Sequence, residues 1–272
     1  MTLGSFLRDA LLAEAGLAAI MAIAWAIQRR TGNSGWIDAS WTFGVGVVGA
    51  ALALAPDAQG AAPVWRRATV AIFALVWSLR LCLHIVGRTL KMGDDPRYRK
   101  LITEWGADAP RRLLAFAQAQ AVVGAALALA LALAAATPGA NPRLADVFGF
   151  ALFAVGIVGE AVADAQLQRF KADSSNRNKV CANGLWSRSR HPNYFFEWLF
   201  WVACAVVAID PTGGWPYGWV ALLAPAAMYW TLRYVSGVPP LEEQMMRTRP
   251  EAFRVYQAQT PIFFPSLARR RR

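Results

Sequence analysis

The sequence predicts an all-α, polytopic membrane protein with seven transmembrane helices, its N-terminus outside and its C-terminus in the cytoplasm. Three observations predict it. Hydrophobic residues fill 56% of the 272 positions and charged residues only 17%, whereas soluble domains are about 25% charged. Seven apolar stretches, about 10–27, 36–55, 68–87, 113–136, 144–166, 194–209 and 215–235, approach the ~20 residues a helix needs to cross a hydrocarbon core. With the N-terminus outside, 23 Lys and Arg fall in the inside segments 28–35, 88–112, 168–193 and the tail from 233, against four (Arg8, Arg66, Arg67, Arg143) outside. That asymmetry is the positive-inside signal.

The first stretch runs into Gln28-Arg29-Arg30 with no small-residue cleavage site, so it is expected to stay as a helix and not be removed as a signal peptide. The second opens with Trp36-Ile37-Asp38-Ala39-Ser40-Trp41, placing Asp38 and Trp41 on one face. An acid beside an indole suits orienting or protonating a substrate carbonyl; the same pair also suits a helix cap with an interfacial Trp. Gly44-Val45-Gly46-Val47-Val48-Gly49 formally matches GxGxxG, but no βαβ unit surrounds it, and small residues in a span serve close helix packing.

On the third stretch Arg80, His84, Arg88 and Lys91 share one face, a cationic track descending from mid-membrane. Snorkelling at the helix end accounts for Arg88 and Lys91 more readily than for Arg80, two turns deeper. The Ala/Leu-rich run 121–136 of the fourth reads as a lipid-facing helix without chemistry. The fifth repeats the spacing of the third with Glu160, Asp164, Gln168 and Lys171. Two carboxylates four residues apart repel, so they require neutralising partners, for which the third stretch is available, in a site or in a structural ion-pair network.

The polar segment 171–193 carries Lys171, Arg177, Lys179, Gly184, Arg188, Arg190, His191, Pro192 and Asn193, with Glu197 one helical turn on. Its cations, a tight-turn glycine and a proline opening a helix read as an anion-binding cytoplasmic mouth, or as the positive flank of a span. The sixth stretch is the shortest, stopped by Asp210-Pro211. After the seventh, residues 237–272 form the cytoplasmic surface tail of a single domain spanning 1–272. Phe253-Arg254-Val255-Tyr256 and Thr260-Pro261-Ile262-Phe263-Phe264-Pro265 suit a short helix closing over the mouth or a simple amphipathic anchor, and Arg269 to Arg272 suit anionic head groups.

The net charge of +11 would suggest a nucleic-acid partner in a soluble protein, but the topology accounts for it and none is expected. Cys82, Cys181 and Cys204 share no CxxC spacing and the histidines are His84 and His191, so neither a disulfide framework nor a metal site is expected. No GxSxG, HExxH, Walker A or kinase signature occurs.

Gly184-Leu185-Trp186, then Ser189-Arg190-His191-Pro192-Asn193-Tyr194, Glu197, Pro239-Pro240-Leu241-Glu242-Glu243 and Phe253-Arg254-Val255-Tyr256, with Arg88-Thr89, Asp38 and Trp41 upstream, resemble the bacterial, DUF1295-like branch of the steroid 5-alpha-reductase family over most of the chain. Isoprenylcysteine and phospholipid methyltransferases carry similar Arg-His-Pro-x-Tyr runs; Asn193 before Tyr194 and the seven spans favour the reductase side. The resemblance implies a bacterial plasma-membrane enzyme that takes NADPH from the cytoplasm and moves a hydride to an activated C=C bond of a steroid-like or other lipid substrate. It places Asp164, Asn193 and Glu197 at positions that hold the cofactor, Arg88 at a helix-three arginine, and Lys171 where an arginine contacts phosphate.

Arg177, Lys179 and Arg190 would join Arg88 and Lys171 at the phosphates, with His191 and Tyr194 beside the cofactor and Trp41 and Arg80 at the substrate. The family's ketone-polarising Gln-Glu pair has no clear copy, and its helix-three tyrosine falls at Ile85. Asp38, kept protonated by burial, or His84 is therefore the expected proton donor to the carbonyl oxygen. Two rivals stand: an S-adenosylmethionine-dependent methyltransferase with Arg190-His191-Pro192 and Glu242-Glu243 around the sulfonium, and a non-catalytic lipid-binding protein.

Overall fold

In a computed structural model, described for residues 2–55, 61–91 and 93–266, the protein is all-α, 81% helical, with no strand among the described residues. Among the described residues ten α-helices follow in order: α1 (Leu3–Thr31), α2 (Gly35–Leu54), α3 (Val64–Lys91), α4 (Pro96–Trp105), α5 (Ala109–Ala135), α6 (Leu144–Ala172), α7 (Pro192–Ala208), α8 (Leu223–Trp230), α9 (Val238–Thr248) and α10 (Pro250–Gln259). Five helical runs, namely α1, α2, α3, Pro96–Ala135 and α6, are long and apolar enough to cross a membrane, and α7 is a shorter apolar helix. The chain is thus built as an integral membrane protein. Residues 269–272 of the basic tail lie outside the described residues.

Three departures from the sequence reading have local causes. Residues 88–112, expected only to connect two spans, contain α4, because the Asp95 side chain accepts from the Arg97 N–H and Pro96 opens the helix. The stretch 215–235 is not one α-helix. It is a 3₁₀ segment (Pro216–Leu222), the short α8 and a π-turn (Thr231–Val235), with Pro216 at the start and Gly237 closed against the backbone of Leu232 at the end. α1 begins earlier than expected because Thr2 and Ser5 form a capping box.

The chain forms two compact units, Met1–Phe148 with Cys204–Ala224, and Gly149–Ala203 with Pro225–Arg272. In the first, α2 packs against α1, α3 and α5. Its glycine motif is the reason: a methyl group on Gly44 would press on Leu17 and Ile20 of α1, on Gly46 would strike Ser78 of α3, and on Gly49 would strike Leu131 of α5. The three glycines each admit a different neighbouring helix, which is the packing role expected of them. Leu17, Met21, Ile37, Val45, Val70, Trp77, Leu127 and Leu131 fill the interior.

One end of this unit is bolted by Arg66. The fully buried guanidinium forks onto Asp146 at 3.0 and 2.8 Å and donates to the carbonyls of Thr137 and Gly139. Arg143 binds the same carboxylate and donates to the carbonyls of Val207 and Ile209. Every charge in this cluster meets an opposite charge or a carbonyl, so burying it is tolerated.

In the second unit α6 and α7 cross closely. Gly156 faces the backbone of Phe196 and Phe200, and a methyl group at Gly159 would enter the Phe196 ring. The segment Pro261–Ser266 runs beside Arg188–Arg190, with Arg190 N–H donating to Pro261, Ser266 N–H to Arg188, and the Ser189 hydroxyl to Phe263. Phe263 is buried among Phe195, Trp198 and Tyr229. The C-terminal segment up to Ser266 is therefore part of this unit's core.

Candidate functional site

The polar groups of the second unit converge at the start of α7. Gly184 adopts φ 58° and its Cα sits against the Gln166 side chain, a conformation and an approach that only glycine permits. It opens a 3₁₀ turn, Gly184–Ser187, that docks on α6: Leu185 N–H donates to Gln166 Oε1 and Trp186 Nε1–H to the Ala163 carbonyl. Tyr256 of α10 holds the same turn by donating to the Trp186 carbonyl at 2.5 Å. Pro192 then begins α7, and Asn193 Nδ2 reaches Asp164 Oδ1 of α6 at 3.3 Å.

Asn193 Oδ1 is buried with no hydrogen-bond partner. Such an orphan acceptor is costly and calls for a donor. Glu197, one turn on, is buried and accepts from Trp201 Nε1–H at 2.9 Å. Tyr194 stacks on the His191 ring at 5.5 Å. Lys171, Arg177 and Lys179 are exposed on the segment leading in.

Arg190 does not join those cations. Its guanidinium donates to Glu242 of α9 at 2.8 and 3.3 Å and to the carbonyls of Gln257 and Thr260. A phosphate-binding arginine needs its fork open, and in this structure the Arg190 fork is engaged by Glu242 and two main-chain carbonyls. Glu242 also accepts from Gln257 Nε2 at 3.0 Å and meets His191 Nε2 at 2.9 Å. Burial raises the Glu242 pKa, but the hydrogen bonds of His191 and Arg190 and their charges outweigh it and hold it at about 2. An ionised carboxylate can only accept, so His191 carries its hydrogen on Nε2. Burial, with the charges of Arg190 and Arg233, holds the imidazole below its ordinary value against the pull of Glu242.

The other predicted residues belong to the first unit. Both oxygens of Asp38 accept, one from Tyr98 Oη at 2.6 Å and one from Arg97 at 2.7 Å. Both carboxylate oxygens of Asp38 are thus engaged within the first unit, by Tyr98 and Arg97. Gln120 Nε2 donates to the Tyr98 oxygen at 3.2 Å, and Trp41 Nε1–H donates to the Gln120 carbonyl. Arg88 meets Asp95 at 3.3 Å. Burial raises Asp95, but Arg97 and Arg88 hold it below the usual carboxylate range. Arg80 and His84 are half-buried on α3.

Sequence reasoning missed Arg97, Tyr98, Gln120 and Gln257. The Asp95-Pro96 pair signals a helix start, with Tyr98 in its first turn; nothing in the sequence ties Tyr98 to Asp38 or Gln257 to Glu242.

Comparison with known proteins gives two matches and one absence. The "Probable O-methyltransferase ustE" of Ustilaginoidea virens is 42% identical over 81 residues, 29% of this chain and 26% of that protein; the chain thus spans about a quarter of the length of the curated relative it matches. No solved structure matches. The family model described as "Protein of unknown function (DUF1295)" matches residues 24–260, the stretch that holds α2 to α10 and the Asp38, Asp164, Asn193 and Glu242 clusters, and the chain belongs to that family.

Proposed function

We propose that this is an NADPH-dependent reductase of an activated C=C bond in a lipid or steroid-like substrate, spanning a bacterial plasma membrane seven times with its cofactor mouth on the cytoplasmic side. The observation that carries the reading is Asn193 Oδ1, a buried acceptor without a donor, on the side chain whose Nδ2 donates to Asp164 and at the end of a segment exposing Lys171, Arg177 and Lys179. Those groups fit an adenine and nicotinamide dinucleotide: cations for the phosphates, Asp164 for a ribose hydroxyl, and the Asn193 oxygen for an amide or hydroxyl donor. Bound NADPH would supply the hydride. The chain's own residues would then need to neutralise the enolate oxygen in a site closed to water. The motifs around Arg190 and Glu242 support kinship with steroid 5-alpha-reductases.

A methyltransferase using S-adenosylmethionine is the second reading, favoured by the relative named an O-methyltransferase. Against it, Glu242, the carboxylate expected beside a sulfonium, is already covered by Arg190, His191 and Gln257. Titrating purified protein with NADPH, NADH and S-adenosylmethionine while following thermal stability separates the two, because a ligand that binds only the folded state raises its midpoint. Stabilisation by NADPH that Asn193→Ala removes supports the reductase; stabilisation by S-adenosylmethionine alone overturns it.

A further inference from the structure

α4 has two faces with different work. Inward, the buried Tyr98 and the half-buried Arg97 hold Asp38, and the Tyr98 ring stands edge-on to Phe116 at 6.0 Å. Outward, Arg99, Lys100, Thr103 and Glu104 are exposed and, with Pro96, line an open cleft of about 400 Å³. Arg99 keeps its orientation by donating to the Asp94 carbonyl at 2.8 Å. The helix follows α3 and opens the run Pro96–Ala135, each long and apolar enough to cross a membrane; a short helix at such a junction, with Leu101, Ile102 and Trp105 half-buried, suits head-group depth.

We propose that the outer cleft of α4 binds the head group of phosphatidylglycerol, and that the bound lipid holds α4, and with it the Tyr98–Asp38 bond, in place. Charge complementarity selects the occupant. Arg99 and Lys100 supply two cations for one phosphodiester. Glu104 on the same cleft repels a bare anion but accepts from the hydroxyls of a glycerol head group, which a phosphate alone does not have. The proposal is independent of the cofactor reading, since neither binding nor helix protection requires turnover.

The test uses full-length protein in phosphatidylcholine nanodiscs containing increasing phosphatidylglycerol. Amide exchange across residues 97–105 and lipid retention by native mass spectrometry are read together. Phosphatidylglycerol should slow exchange in α4, and Arg99→Gln/Lys100→Gln should weaken retention about fivefold per cation removed. Arg111→Gln/Arg112→Gln, exposed at the start of α5 but outside the cleft, should leave retention near that of the parent, and Glu104→Gln should erase the preference for phosphatidylglycerol over phosphatidic acid. Equal losses in the two double variants would reduce the effect to diffuse surface charge and overturn the site. Equal protection by soluble glycerol phosphate would make it a small-anion site and overturn the lipid, and so would exchange that does not respond to phosphatidylglycerol in the parent protein.

Discussion

Two arginine–carboxylate clusters, one in each unit, are built from the same chemistry to different ends. Around Asp146, two guanidiniums saturate the carboxylate and spend their other donors on main-chain carbonyls, at side-chain exposures of 0% for Arg66 and 1% for Asp146. Around Glu242, one guanidinium shares the carboxylate with an imidazole and an amide, at exposures of 11% for Arg190 and 13% for Glu242. Two residues beyond His191 sits the unpartnered oxygen of Asn193. A closed network of charges fixes a fold, whereas one that includes a titratable ring and adjoins an open acceptor is suited to hold a ligand.

The comparison breaks most sharply at Asp146. Asp146→Ala strands the Arg66 charge in the interior and should cost about 3–5 kcal/mol, read as a collapse of the unfolding midpoint or of the folded yield in detergent. Glu242→Gln should cost less, about 1–3 kcal/mol, since Arg190 keeps its two carbonyl acceptors. Asn193→Ala should leave the midpoint of the free protein nearly unchanged while weakening NADPH affinity about tenfold or more; unchanged affinity would take Asn193 out of the site.

Acid should find the second cluster. His191 is held below its ordinary 6.5 in the folded protein, so the unfolded chain takes up that proton first and stability falls as pH drops below 6.5. Glu242, held at about 2 against an ordinary 4.5, adds a second loss as pH falls from 4.5 towards 2. Midpoints measured from pH 8 to 4 should therefore decline below 6.5, and His191→Gln should flatten that first decline. The smallest effect belongs to Arg254→Ala, whose partner Glu251 is 85% exposed; no measurable shift in midpoint is expected.

Apolar length made the membrane helices legible, because bilayer thickness imposes it on each segment separately. Asn193 and Glu197 were legible as one face of one helix by their spacing, whereas Asp164 was joined to them only by the family resemblance. What stayed hidden was pairing at long range. Arg66 reads as one of four outside charges until its partner, 80 residues on, is known, and Arg190 reads as a phosphate ligand until Glu242, 52 residues on, takes its fork. Asp38 shows the same limit: its partners Arg97 and Tyr98, 59 and 60 residues on, lie on a helix that apolar patterning does not announce.

Gly159 has a consequence for inheritance as much as for packing. The hydrogen on its α-carbon leaves room for the Phe196 ring, and Phe196 is three residues from Asn193. Any side chain there would prise α7 from α6 and lengthen the 3.3 Å reach between Asn193 and Asp164. The position thus acts as a gauge: a lineage could exchange the polar groups around it for a new ligand and keep the spacing, but a single added carbon at this point would widen the gap before any polar residue had changed.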